Sequence, residues 1–282
     1  MADLGFGARL RRAMDQRGPL CVGIDPHGQL LSSWGLSTDA AGVERFSRTV
    51  VEALAGQVAV LKPQSAFFER FGSRGIAVLE RVIADARDAG ALVLLDVKRG
   101  DIGSTVQAYA QAYLDPASPL AADAVTASPY LGFGALRPMI DTAMAHGRGV
   151  FVLVLTSNPE GVPVQHARNP DGRTVAQTIL DDVSAINADA RPMGSVGVVV
   201  GATVGETGHS FEAVRGPLLA PGLGAQGGSP EDLRVVFGGA LPWVLPSYSR
   251  EILRHGPSLT GLRDAASKAE RACRTALGYP GV

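Results

Sequence analysis

The chain has 282 residues, of which 46% are hydrophobic and 19% charged, and its formal net charge is −1. This balance, without runs of basic residues, argues against a nucleic-acid-binding or anionic-membrane surface. The two cysteines, Cys21 and Cys273, suggest neither a metal site nor a disulfide framework and suit a reducing compartment. Charges interrupt the N-terminal segment and no apolar run is long enough to span a bilayer, so we expect a cytoplasmic protein.

Short apolar stretches alternate with helical patterns along the whole chain. Strands are predicted at about 20–24, 57–61, 91–95, 122–127, 149–155, 196–200, 217–220 and 242–245. Helices are predicted at about 4–17, 40–54, 75–89, 104–113, 135–145, 174–190 and 259–277. Such alternation implies parallel β-α units, and eight of them predict one domain over 1–282, an α/β fold of the single (β/α)8 TIM-barrel type. A doubly wound sheet is the alternative, although no Gly-x-Gly-x-x-Gly follows the first strand.

The strongest candidate site follows the third predicted strand. Asp96 and Lys98 are two residues apart, so on a strand their side chains leave the same face. Gly100 ends the strand, and Asp101 falls in the next loop within reach of Lys98. A lysine between two carboxylates is held as a cation, which favours a proton donor over a Schiff-base nucleophile. The array therefore predicts a site that forms and protonates a carbanion, with a solvated charge pair as the alternative.

A glycine-rich stretch, 221–228, follows the seventh predicted strand. Loops after the last two strands of such barrels often bind phosphate through backbone N–H groups. Arg250, after the eighth strand, offers a bidentate cationic partner. The alternatives are that the stretch is only a tight turn and that the arginine is solvated. Because the glycine-rich stretch and Arg250 fall on adjacent loops, we favour a phosphate site.

Together these residues resemble the orotidine 5′-phosphate decarboxylase family, in the bacterial branch that contains the mycobacterial enzymes. The likeness rests, in chain order, on Gly23-Ile24-Asp25-Pro26, Lys62-Pro63, the segment 96–105, Thr156-Ser157-Asn158-Pro159, Pro221-Gly222, Gln226-Gly227-Gly228 and Ser249-Arg250. It implies decarboxylation of orotidine 5′-monophosphate (OMP) to UMP and CO2 in de novo pyrimidine biosynthesis, with no cofactor and no metal.

The resemblance also implies catalytic roles. Lys98 would protonate C6 of the pyrimidine, and Asp96 would lie against the substrate carboxylate. Asp25 and Lys62 would bind the ribose hydroxyls and complete the charge array. Asp101 would come from the neighbouring subunit of a homodimer.

For substrate binding, the resemblance implies that Thr105 also comes from the neighbouring subunit. Ser157 would read the pyrimidine edge, although Thr156 is an alternative, and Pro221 would contact the ring. The phosphate-binding residues would be Gln226, Gly227 and Arg250. His27 lies next to this motif, and we expect it to be a solvated loop residue.

Two rival functions remain from the sequence. Metal-dependent sugar-phosphate barrels share an Asp-x-Lys-x-x-Asp strand and use Mg²⁺ to hold an enediolate, but no additional Glu near Asp96 completes a ligand set. A non-catalytic nucleotide sensor could keep the phosphate loop without the chemistry. Asp96, Lys98 and Asp101 together argue against a sensor, which has no need of a charge array.

Overall fold

A computed structural model describes residues 4–279, which form a closed barrel of parallel strands in the order β1 to β8. The strands are β1 Cys21–Ile24, β2 Val60–Pro63, β3 Leu92–Arg99, β4 Ala124–Ala127, β5 Gly149–Leu155, β6 Val196–Val200, β7 Leu218–Pro221 and β8 Val244–Tyr248. Pairing of β1 with β8 closes the barrel, so the predicted (β/α)8 fold is confirmed. Residues 1–3 and 280–282 of the predicted single domain lie outside the described residues.

Helices connect the strands on the outside of the barrel. They are α1 Phe6–Arg17, α2 Gly28–Ser33, α3 Ala40–Leu54, α4 Ala66–Glu69, α5 Gly72–Asp88, α6 Gly103–Leu114, α7 Arg137–Ala145, α8 Val162–Gln165, α9 Val175–Ile186, α10 Asp232–Phe237, α11 Arg250–Leu253 and α12 Leu259–Leu277. Short 3₁₀ turns lie at Phe133–Leu136, Pro159–Gly161, Glu212–Val214 and Gly238–Trp243. In the described range, no helix is both long enough and apolar enough to cross a bilayer.

Several element boundaries differ from the predictions, and three of the differences have a local cause. β2 begins at Val60 because the N–H groups of Gln57 and Val58 still bond to the last turn of α3. β8 begins at Val244 because a 3₁₀ helix takes up the preceding residues. Helix α9 ends at Ile186, short of the predicted 190, because the buried Asn187 side chain turns inward and donates to the carbonyls of Val196 and Val214. Strands β2 and β8 also end later than predicted, at Pro63 and Tyr248, so Lys62 and Ser247 lie within strands.

The core has two layers. One lies between the strands and the outer helices, and the other fills the barrel interior. Helix α1 closes the amino-terminal end of the barrel, where Phe6 packs edge-on against Phe151 with ring centroids 5.9 Å apart. A side chain at Gly149 would collide with the Phe6 ring, so glycine at this position allows α1 to pack against the barrel. With that end filled, the carboxyl end of the barrel is the one that can hold a ligand.

Candidate active site

A cavity of about 620 Å³ opens at the carboxyl ends of the strands. Its lining includes most of the predicted site residues: Asp25, Lys62, Asp96, Lys98, Thr156, Ser157, Pro221, Gln226 and Arg250. These residues come from six different strands or their following loops. The barrel therefore gathers side chains that are far apart in the sequence at one mouth.

Asp96 is the centre of a hydrogen-bonded charge array. Its Oδ1 accepts from Lys98 Nζ at 2.6 Å and from Thr126 Oγ1 at 2.7 Å. Its Oδ2 accepts from Lys62 Nζ at 3.1 Å and, with the Gln64 amide nitrogen turned toward it, from Gln64 at 2.6 Å. Both oxygens thus have two donors each, which fixes the orientation of the carboxylate.

Lys98 reaches Asp96 through an irregular backbone rather than through regular strand alternation. Its φ is 46°, in the left-handed region that residues with a Cβ rarely occupy. The β3–β4 register shifts between Leu95 and Arg99, and the displaced Lys98 N–H donates to Thr126 Oγ1 at 2.9 Å. Strain of this kind is of the order of 1–3 kcal/mol and is typical of functional sites. Thr126 therefore holds both the backbone of Lys98 and the carboxylate that pairs with it.

The array keeps its buried members charged. Burial disfavours the Asp96 carboxylate, but the ammonium groups of Lys62 and Lys98 hold its pKa well below the ordinary range. Burial likewise disfavours the Lys62 cation, which is 7% exposed, yet the carboxylates of Asp96 and Asp25 raise the pKa of Lys62 above its ordinary value. Lys98 differs because its side chain is 45% exposed and extends into the cavity.

Asp25 lies beside this array at the end of β1. Its Oδ2 accepts a short hydrogen bond from Ser249 Oγ, across the seam between β1 and β8. A side chain at Gly23 would approach the Cβ of Ser249 to 2.9 Å, so glycine at this position permits the contact. The other carboxylate oxygen, Oδ1, is buried and has no partner among residues 4–279. It is therefore an acceptor without a donor in this part of the chain.

His27 is not the solvated loop residue that we expected. The ring is half-buried, lines the cavity and lies 6.0 Å from the Phe67 ring. The α2 and α4 turns that follow β1 and β2 cover it, and burial lowers its pKa below the ordinary value. Short turns of this kind leave little trace in hydrophobic periodicity.

Asp101 and Thr105 lie outside the cavity lining of their own chain. Asp101 Oδ1 accepts from the Ile102 N–H, and no ion pair joins Asp101 to Lys98 among the residues that the structure describes. The expectation that Asp101 reaches Lys98 within one chain is therefore wrong. The Lys98 ammonium instead pairs with Asp96, at 2.6 Å.

The two hydroxyls after β5 have different surroundings. Thr156 Oγ1 donates to Asn158 Oδ1 and accepts from Gln165 Nε2, each at 2.7 Å. Ser157 Oγ has no hydrogen-bond partner within the described part of the chain, and Ser157 lines the cavity. Of the two candidates for reading a base, Ser157 is the one with hydrogen-bonding capacity to spare.

The glycine-rich loop after β7 is tied together by its own backbone. The N–H groups of Gly224, Gly227 and Gly228 donate to carbonyls of the same loop. Gly227, predicted to bind substrate, is absent from the cavity lining, and its φ of 95° lies in the region that glycine adopts readily. Gln226 and Arg250 do line the cavity and are exposed to solvent.

The described residues, 4–279, contain no group of three or more His, Cys, Asp or Glu side chains placed to hold a metal ion.

Comparison with known proteins identifies the family of this chain. The model of the orotidine 5′-phosphate decarboxylase / HUMPS family matches residues 18–241. The chain belongs to that family. An orotidine 5′-phosphate decarboxylase of Salinispora tropica is 68% identical over 96% of this chain and 98% of its own length. One of Streptomyces coelicolor is 62% identical over 96% and 98%. A Streptomyces avermitilis crystal structure, described as a candidate enzyme of the same name, is 60% identical with a TM-score of 0.96, covering 99% of this chain and 98% of its own.

Membership of the decarboxylase family confirms the predicted class of activity, that of a carboxy-lyase. Within this family framework, the sequence interpretation missed Thr126, Gln64 and the hydrogen-bonding role of Ser249. Each follows or ends a predicted strand on a neighbouring unit of the barrel. Their position was a usable signal, since polar side chains at the carboxyl ends of barrel strands face the same mouth.

Proposed function

We propose that the chain decarboxylates OMP to UMP and CO2 in pyrimidine biosynthesis without a cofactor, and that Lys98 protonates C6. The observation that carries the proposal is the Asp96–Lys98 pair, a buried anion and a half-exposed ammonium group 2.6 Å apart in the cavity. The names and identities of the relatives support the substrate. We also propose a cytoplasmic location, which suits two free, buried cysteines.

Decarboxylation leaves a charge that the ring cannot delocalise. The bond between C6 and the carboxylate breaks, CO2 leaves, and the electron pair stays at C6 in an orbital lying in the ring plane. A fixed ammonium group stabilises that pair and then supplies the proton that forms the C6–H bond. Lys98 becomes a neutral amine, which solvent reprotonates. Asp96, held ionised by its partners, repels the substrate carboxylate beside it. This repulsion favours departure of that carboxylate as neutral CO2.

The charge array itself supports a reaction without a metal. Lys62, Lys98 and Thr126 donate to Asp96, and two of these donors are ammonium groups. A metal ion would have to displace these donors and approach two positive charges, which repel it. The carboxylate is therefore arranged as an electrostatic group rather than as a metal ligand.

Three other positions fit the rest of a nucleotide. Asp25 lines the cavity and accepts from a ribose hydroxyl, and the nearby Lys62 can donate to one. Ser157 offers its hydroxyl to the pyrimidine edge, and Pro221 offers an apolar surface to the ring. Gln226 and Arg250, on the adjacent loops after β7 and β8, bind the phosphate.

We expect Arg250→Ala to lower kcat/KM for OMP by roughly 10²–10³-fold, the effect of losing a bidentate charged contact. Slow turnover of orotidine, which lacks the phosphate, should be unchanged because Arg250 then has no anion to bind. Steady-state kinetics with both substrates check this. An equal loss with orotidine would show that Arg250 acts on the reacting ring instead.

We propose a homodimer in which Asp101 and Thr105 enter the partner's active site. Both residues lie outside their own cavity; Asp101 is partly exposed and Thr105 is exposed. Ile102 follows Asp101 and is 62% exposed, and the loop after the neighbouring strand β4 carries Tyr130, at 80% exposed, and Leu131, at 52% exposed. Apolar residues grouped on one face support an interface there. Asp101 would then face Lys98 across that interface and supply the second carboxylate of the predicted array.

Mixing Lys98→Ala with Asp101→Ala subunits should restore activity. In a mixed two-fold dimer, one site combines the intact Lys98 of one subunit with the intact Asp101 of the other. After unfolding and refolding an equal mixture, we expect about a quarter of wild-type activity, since about half of the random dimers are mixed and each has one intact site. Activity no higher than that of the separate variants would contradict a shared site.

The proposed function is tested by incubating the purified protein with OMP and measuring UMP and CO2, which should form in equal amounts. Tight UMP binding without turnover would support the sensor instead. Turnover that EDTA abolishes and Mg²⁺ restores would support the metal-dependent sugar-phosphate chemistry.

A further inference from the structure

A glutamine from the segment between β5 and α9 forms two hydrogen bonds to Thr156, the residue before Ser157. Gln165, the last residue of α8, is half-buried and uses both atoms of its amide. Its Oε1 accepts from the Thr156 N–H at 3.0 Å, and its Nε2 donates to Thr156 Oγ1 at 2.7 Å. Two contacts to one residue fix the position and the orientation of that residue.

Further hydrogen bonds extend this contact along the loop. Thr156 Oγ1 donates to Asn158 Oδ1 at 2.7 Å, and Asn158 Nδ2 donates to Glu160 Oε2 at 3.1 Å. The Thr156 hydroxyl therefore donates and accepts within the protein. This leaves the neighbouring Ser157 hydroxyl to meet a ligand, on a backbone that Gln165 holds at the preceding residue.

Two glycines make this arrangement possible. A Cβ at Gly161 would lie 2.7 Å from Gln165 Nε2 and 2.8 Å from Thr156 Oγ1, so a side chain there would push the pair apart. On the opposite side, a Cβ at Gly201 would lie 3.3 Å from the backbone nitrogen of Ser157. Ser157 thus lies against the end of β6 on one side and is secured through Thr156 on the other.

We propose that Gln165 is a positioning residue for pyrimidine recognition: through Thr156 it orients Ser157 toward the base of the bound nucleotide. The inference rests on the proposed function, because it assumes that Ser157 reads the base. Gln165 itself does not line the cavity, so its effect on a ligand is transmitted through the residues after β5.

The test compares two ligands that differ by the base. For Gln165→Leu, calorimetry should show UMP binding roughly 10-fold more weakly, the effect of one neutral hydrogen bond, with the affinity for ribose 5-phosphate unchanged. Gly161→Ala should shift UMP in the same direction, since Gly161 has an ordinary φ of −72° and the Gln165 amide is a flexible side-chain end that can move aside. Gln177→Leu is the matched control, because the Gln177 side chain contacts Asp181 and His209 rather than Thr156 or Gln165, and UMP affinity should not change.

A double variant separates positioning from general damage. In a Ser157→Ala background, Gln165→Leu should have little further effect on UMP affinity, because the group that it orients is gone. Equal weakening of ribose 5-phosphate, an unchanged UMP affinity, or additive effects of the two substitutions would each overturn the proposal. Binding is the readout, so the result does not depend on turnover: a wild type that binds UMP but leaves OMP intact would refute the decarboxylase and leave this test standing.

Discussion

Lys98→Ala is expected to lower kcat for OMP by roughly 10⁴-fold or more, because one residue supplies both the opposing charge and the proton. The variant should fold normally, since the Lys98 side chain is 45% exposed and the buried Asp96 carboxylate keeps Lys62 and Thr126 as donors. Stopped assays over hours measure the residual rate, and thermal unfolding measures the stability. A kcat within about tenfold of wild type would remove Lys98 from the proton transfer.

A chemical rescue provides the control for that substitution. Lys98→Cys, treated with 2-bromoethylamine, gains an ammonium group of nearly the same length as lysine. The native thiols should resist the reagent because Cys21 and Cys273 are fully buried and burial raises the pKa of each to about 12. Activity that returns after treatment assigns the loss to the missing ammonium group. Activity that stays lost, with alkylation proved by mass spectrometry, would assign it to disturbed structure.

Asp96→Asn is expected to lower both activity and stability. The substitution leaves Lys62 buried with its nearest carboxylate gone, and breaking such a pair costs about 3–5 kcal/mol of unfolding free energy. The electrostatic contribution to catalysis falls with it, by roughly 10³-fold or more. Urea unfolding and steady-state kinetics measure the two effects.

The double variant Asp96→Asn/Lys62→Met is the matched control for stability. Replacing the buried ammonium group with an apolar side chain of similar length removes the uncompensated charge, so much of the stability should return. Activity should stay low because the charge array is absent. A single variant as stable as wild type would contradict a net stabilising pair.

The pH dependence of this difference follows from the direction of the two pKa shifts. The folded pKa of Asp96 is depressed, so its contribution is present above about pH 4 and is lost as pH falls through the folded value. The folded pKa of Lys62 is raised, so its contribution is present below about pH 10 and is lost as pH rises through the folded value. The stability gap between wild type and Asp96→Asn should therefore be constant from roughly pH 5 to pH 9. Urea midpoints measured across that range check it, and a gap that changes steadily with pH would point to another titrating group.

The barrel could be predicted from the sequence because each β-α unit shows an apolar run followed by a helical pattern or a loop. Apolar runs such as 149–155 and 196–200 match observed strands, and the polar motifs come directly after them. Since parallel strands end at one face, sequence order alone placed Asp25, Lys62 and Asp96 at the same mouth. The family motifs then assigned a chemistry to that mouth.

Other features depend on contacts that no local pattern contains. The left-handed Lys98 is stabilised by Thr126, which lies on another strand, and strand alternation alone predicts a regular backbone there. Whether Thr156 or Ser157 is available to a ligand depends on Gln165, a side chain nine residues away in a short helix. Each of these is a tertiary contact overriding a local preference.

The most direct test of the central claim is the rate of OMP decarboxylation by EDTA-treated protein, followed by the loss of substrate absorbance. The array of Asp96, Lys98 and Lys62 predicts an undiminished rate, because the charges that stabilise the carbanion belong to the chain. A rate that falls with EDTA and returns with Mg²⁺ would contradict it.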